Sequence, residues 1–134
     1  MGVCEKYEIT TSGGEEVDDT FTLKLGTTLS ITDVLHIPRK KFLINNGSIL
    51  IGKQGTKDDG TIVNEVTIDN EGIYKNLGTL VNRGTIDNKG TILVLQGKIV
   101  NYGRIKNFAS IFNYQDGTIA NVGTINGVPE ETPP

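Results

Sequence analysis

Residues 58–93 read DDGTIV-NEVTID-NEGIYK-NLGTLV-NRGTID-NKGTIL, hexads laid end to end with no residue left over. The series continues, with one added residue, as VLQGKIV (94–100), then NYGRIK, NFASIF, the longer NYQDGTIA and NVGTIN, which closes at Asn126. The consensus is Asn-x-Gly-Thr-Ile-x. Apolar residues at a period of six leave no stripe at 3.6, and a glycine in nearly every hexad would cost a helix about 1 kcal/mol each, so helix is excluded. Self-similarity at a short fixed period points instead to a stacked solenoid. Within a hexad, Thr-Ile-x reads as a short strand whose aliphatic centre points inward while its neighbours point outward. Asn-x-Gly reads as the corner, because both residues tolerate the left-handed backbone that a sharp bend is expected to need. Asparagines stacked from corner to corner could then form hydrogen-bonded ladders.

The inward column so defined runs Ile62, Ile68, Tyr74, Leu80, Ile86, Ile92, Ile99, Ile105, Ile111, Ile119 and Ile125. Upstream the spacing of six persists through Leu25, Ile31, Ile37, Leu43 and Ile49, and the stretch between Leu50 and Asp58 is one residue too long, so a bulge is expected there. The expected organisation is a capping strand or hairpin over 1–24, a solenoid over 25–127 and a disordered tail over 128–134. The residue after each inward one decides how many hexads close a coil. Sorted by threes, one face collects Val63, Val81, Val100 and Ala120, reaching back to Ile44. A second collects Asp69, Asp87, Lys106 and Asn126, and a third Lys75, Leu93 and Phe112. Sorting by twos mixes Val, Lys, Asp and Phe. The segregation predicts an all-β parallel β-solenoid with three sides and about 18 residues per coil, stacked at about 4.8 Å. The valine face, flanked by Leu77 and Leu95, is an apolar stripe outside a filled interior. It marks the chain as a homo-oligomer, with a trimer favoured.

The run NLGTLVNRGTIDNKGTIL resembles the N-x-G-T-I repeats of β-helical regions in bacterial surface adhesins and in proteins of phages and large DNA viruses. The lead-in from Leu29 to Ile49, ending on NNGSI, looks like the start of such arrays. The resemblance implies a β-helix used for surface display, attachment or assembly, often as a trimer, and it brings no catalytic residues. It therefore implies a virion or cell-surface setting, with other virion or surface proteins or a glycan as partners. Left-handed hexapeptide acyltransferases are a poor match. Their hexad places glycine directly after the aliphatic, whereas here glycine falls four residues later. Those enzymes also rely on a histidine, and the one present, His36, lies in the apolar stretch Val34-Leu35-His36-Ile37-Pro38.

Composition excludes several classes. The chain has 134 residues, enough for one domain, and its net charge of −3 with 22% charged residues provides no strong field for nucleic acid or an anionic membrane. Glycine occurs 17 times against four prolines, in a chain that is 36% hydrophobic, which suits many turns between short strands. Cys4 stands alone, so no intramolecular disulfide exists, and Met1-Gly2-Val3-Cys4-Glu5-Lys6 lacks the Ser or Thr of a myristoylation site. No apolar leader region is visible at the N-terminus, and no segment reaches the ~18 apolar residues of a membrane span.

Sites that carry chemistry are sparse. There is no G-x-S-x-G, no glycine-rich phosphate loop, and one Cys with one His cannot hold zinc, so no catalytic residue, cofactor or metal is expected. The one carboxylate constellation is Asp69 with Asp87, expected on one face a coil apart, roughly 5 Å. That separation fits a retaining glycosidase, a Ca²⁺ ligand pair or a glycan-binding face, against the plainer reading of a polar solvent surface. Asn46-Gly47-Ser48 matches a glycosylation acceptor but reads as an ordinary corner. Arg39-Lys40-Lys41 reads as a solvated basic run, with nucleic acid or an acidic glycan as the sharper alternative. An ice-binding array would need Thr at both outward positions of a strand, and Val, Asp, Lys or Leu occupies the second.

Overall fold

The computed structural model describes residues 14–17, 20–31, 34–114 and 116–127, which form eighteen short strands and no helix. They stack into three parallel sheets wound as a solenoid of roughly 19 residues per turn. Sheet A holds β2 (Thr20–Leu23), β5 (Phe42–Asn45), β8 (Thr61–Asn64), β11 (Thr79–Asn82), β14 (Lys98–Asn101) and β17 (Thr118–Asn121). Sheet B holds β3 (Thr28–Ile31), β6 (Ser48–Ile51), β9 (Thr67–Asn70), β12 (Thr85–Asn88), β15 (Arg104–Asn107) and β18 (Thr124–Gly127). Sheet C holds β4 (Leu35–Ile37), β7 (Thr56–Asp58), β10 (Ile73–Asn76), β13 (Thr91–Val94) and β16 (Ser110–Asn113). β1 (Gly14–Val17) lies antiparallel on β2 and covers that edge of sheet A. Parallel pairing begins with β2, whose Thr20 stands opposite Phe42. The expected tail over 128–134, Cys4 and the rest of residues 1–13 lie outside the described residues.

The registers follow the sorting by threes. Val63, Val81, Val100 and Ala120 stand opposite one another on sheet A, with Ile44 above Val63. Asp69, Asp87, Lys106 and Asn126 align on sheet B, and Lys75, Leu93 and Phe112 on sheet C. The expected inward column is buried from Ile62 to Ile111, while Ile119 and Ile125 in the last turn are only partly covered.

The four-residue strands from β2 to β15 bury two side chains each, the second and the fourth, as their alternating exposure shows. The fourth is the asparagine, which the hexad reading had assigned to the corner. It ends the strand pointing inward with no exposed surface at Asn64, Asn70, Asn82 and Asn88. On sheet A the amide Nδ2 of Asn45 donates to Asn64 Oδ1, Asn64 to Asn82, Asn82 to Asn101 and Asn101 to Asn121, each at 2.8 Å. On sheet B, Asn70 donates to Asn88 at 2.9 Å and Asn88 to Asn107 at 2.8 Å. Buried amides are thereby paired rung to rung, which removes the penalty of 1–3 kcal/mol or so for each orphaned group.

Two expectations are corrected here. Hexad glycines do not serve left-handed bends: among the described residues positive φ occurs only at Lys40, Gly26, Gly55 and Gly127. Glycine is needed because successive corners touch, so that a Cβ on Gly90 would collide with the Gly72 carbonyl oxygen. Leu25 is also not in the core; it is 80% exposed, and Leu23 is the buried residue there. The early corners explain this. They are four-residue turns, closed by Thr27 N–H to Lys24 O (3.2 Å), Lys41 N–H to Pro38 O (3.1 Å) and Gly55 N–H to Gly52 O (3.0 Å), where the later corners are mostly two residues. The spacing of six upstream therefore passes through Ile31 and Ile37 in the last strand position and Leu43 and Ile49 in the second. The expected bulge before Asp58 is the widened corner at 52–55.

Candidate binding surfaces

The interior of the described residues is lined by a continuous column of buried side chains, and the faces and corners carry the candidate surfaces. Sheet A offers the apolar stripe Ile44, Val63, Val81, Val100 and Ala120, with every member part-exposed and Phe42 42% exposed at its N-terminal end. Leu77 and Leu95 lie part-buried on the adjoining corner.

Sheet B places Asp69 directly beside Asp87, one rung apart at about 4.8 Å. Lys89 Nζ lies 3.5 Å from Asp69 Oδ2, and Lys106 follows Asp87 on the next rung. The Oδ1 atoms of both aspartates are shielded from solvent and make no hydrogen bond. Among the described residues no group of three or more His, Cys, Asp or Glu is arranged to hold a metal ion.

Sheet C was the least legible from sequence. Its outward residues His36, Lys57 and Lys75 stack in one column over three rungs. The corner beyond them forms an open groove of about 620 Å³ lined by His36, Pro38, Arg39, Lys41, Asp59, Leu77 and Gln96. Asp59 Oδ2 accepts from or faces His36 Nε2 at 3.0 Å and sits 3.6 Å from Lys57 Nζ. The histidine thus lies on the outer face, away from the apolar neighbours that flank it in sequence.

Beneath this column the interior departs from the repeat. Thr56 and Tyr74 take the aliphatic position and Asp58 takes the asparagine position. Asp58 is fully buried; its Oδ1 accepts Gly60 N–H at 3.1 Å and its Oδ2 accepts the Tyr74 hydroxyl at 2.7 Å. Desolvation raises its carboxyl from 3.8 to about 8, against the opposing pull of these two hydrogen bonds. Tyr74, equally buried, is raised well above its ordinary value, first by desolvation and then by Asp58. The sequence signal for this pair was DDG standing where N-x-G is the rule.

No family model matches the chain, and no curated protein or solved structure is similar to it.

Proposed function

We propose that this chain is a non-catalytic structural or attachment module, assembled as a homotrimer through sheet A in a virion or cell-surface component. The observation that carries the reading is the apolar stripe Ile44, Val63, Val81, Val100 and Ala120, which is in register over five rungs outside an already filled interior. Such a stripe is unfavourable in water, and identical chains offer a complementary surface. Three copies around one axis bury it with no growing edge, whereas an open contact would propagate. A dimer is the alternative closed form. Light scattering on the purified chain tests this: a trimer or dimer mass at micromolar concentration supports the reading, and a monomer mass overturns it.

A second reading, a carbohydrate-binding or carbohydrate-cleaving β-helix, is favoured by the Oδ1 atoms of Asp69 and Asp87, which are buried without hydrogen bonds. A glycan array compared with Asp69→Asn tests it. Binding that disappears in the variant supports this reading, and silence across the array removes it.

A further inference from the structure

We propose that the N-terminal half of sheet C, with the corner at 38–41, binds an acidic glycan, a polysaccharide carrying carboxylate or sulfate groups. This site is separate from sheet A and does not depend on the assembly. It is also separate from Asp69 and Asp87, whose charges on sheet B would repel such a ligand.

Charge is the first ground. The chain carries a net charge of −3, yet five cations gather here: Arg39, Lys40, Lys41, Lys57 and Lys75. Asp59 is the acid in the groove, and it is flanked by His36 at 3.0 Å and Lys57 at 3.6 Å. Asp58, the neighbouring carboxyl, is buried and held protonated up to about pH 8, so it adds no negative charge at neutrality.

Geometry is the second. The register stacks His36, Lys57 and Lys75 at strand spacing, about 4.8 Å, and the groove beside them brings in Arg39 and Lys41. Lys57 and Lys75 at that repeat, with Arg39 and Lys41 beside them, suit a linear polymer with an anion on every sugar or every second sugar lying along the solenoid axis. Pro38 and Leu77 give the groove apolar floor for a sugar ring. No Phe, Tyr or Trp lies among the groove residues, so the broad platforms on which successive bases stack are missing, which favours a glycan over single-stranded nucleic acid.

The backbone supplies the third and independent ground. Lys40 has φ of 68°, the left-handed region that a non-glycine side chain enters only at a strain. In the sister turn at 24–27 the same third position is Gly26, with φ of 84°. A lysine is thus held where glycine would be easier, between Arg39 and Lys41, which line the groove.

Affinity for heparin, dextran sulfate, neutral dextran, polyglutamate and a single-stranded oligonucleotide would be measured by titration calorimetry with the intact chain over a range of salt. The expected result is binding to heparin and dextran sulfate, none to neutral dextran, and an affinity that falls linearly with salt on a log–log scale. Lys57→Glu/Lys75→Glu should weaken heparin binding by about tenfold or more, whereas Arg104→Glu/Lys106→Glu, the same change of charge on sheet B, should weaken it by about threefold or less. Lys40→Gly should raise the melting temperature while weakening binding, a combination that a merely structural lysine would not give. Equal loss in the two double variants would reduce the effect to net charge and overturn the proposal. No binding to either sulfated glycan, or tighter binding to the oligonucleotide or polyglutamate, would overturn it as well. The mass of each variant, read by light scattering, keeps this outcome distinct from that of the assembly.

Discussion

At the residue scale the most consequential side chain is Asp58. At the first asparagine of the ladders of sheets A and B, Oδ1 accepts the N–H of the residue two positions on, as Asn45 does from Gly47 and Asn70 from Gly72, and Nδ2 donates to the next rung. Asp58 Oδ1 accepts Gly60 N–H in the same way. By that polarity its Oδ2 occupies the donor's place, and Asn76 Oδ1 on the next rung is buried without a partner. A protonated carboxyl fits the slot and an ionised one does not. The sign of the pH dependence follows. Between the ordinary carboxyl value near 3.8 and about 8, the folded chain keeps a proton that the unfolded chain has released. Stability therefore falls by about 1.4 kcal/mol per pH unit across that window and levels off above it. Asp58→Asn, whose Nδ2 can reach both the Tyr74 hydroxyl and Asn76 Oδ1, should abolish this slope and stabilise the chain at pH 8, as urea denaturation across pH would record. A parallel slope in the variant would place the titration elsewhere. The aliphatic column makes a plainer prediction. Ile86→Ala should cost about 2–5 kcal/mol through lost burial and a cavity, while Thr85→Ala, on the outer face, should stay within about 0.5 kcal/mol. Similar losses in denaturant midpoint for the two would contradict the alternation of faces.

At the scale of the element, the three sheets share a repeat but not an inner lining. Sheet A keeps an unbroken asparagine ladder from Asn45 to Asn121, whereas sheet C runs Ile37, Asp58, Asn76, Val94 and Asn113 in the same column. Val94 interrupts the ladder, and both Asn76 Oδ1 and Asn113 Oδ1 are left buried without hydrogen bonds. Val94→Asn ordinarily belongs to a destabilising class, since burying an unpaired amide costs about 1–3 kcal/mol. Here the new amide would stand between two asparagines already in register, accepting from Asn76 and donating to Asn113. It should therefore be neutral or stabilising by about 1 kcal/mol, as thermal unfolding followed by strand circular dichroism would show. A loss of 2 kcal/mol or more would mean that the column cannot close over an amide at that rung. The same comparison shows what the hexad disclosed at this scale. Asn-x-Gly-Thr-Ile-x revealed strand, corner and ladder, because each side chain meets its own kind one coil away. It misplaced the asparagine, since a fourth residue that ends a strand and still points inward looks like a corner residue when only its neighbours in sequence are considered.

On the scale of the whole molecule, one outer face is apolar, one carries stacked carboxylates and one is basic over its N-terminal half. Sheet A is where the proposed assembly can be broken without touching the core. Val81→Lys should bring like charges together at the shared axis and reduce the mass to that of a monomer, while the strand signal in circular dichroism remains. An unchanged mass would mean that the copies meet elsewhere. The basic half of sheet C lies around the corner from that stripe, and Leu77 stands at the corner they share.

The sequence by itself determined the all-β solenoid, its three sides and the composition of each face. Val63, Val81 and Val100, or Asp69 and Asp87, meet only their counterparts one coil away, so a period read along the chain is already a register in space. Only the tertiary structure decided what happens where the period slips. The four-residue turns before β3, β5 and β7 turn Leu25 out and Leu23 in, and they carry Arg39 and Lys41 to a groove with His36 and Asp59, residues of three different corners and strands. Burial likewise decided the state of Asp58. In the sequence it is one more charged residue in a DDG corner; with no solvent around it and Tyr74 at 2.7 Å, it is a neutral acid in an asparagine's place.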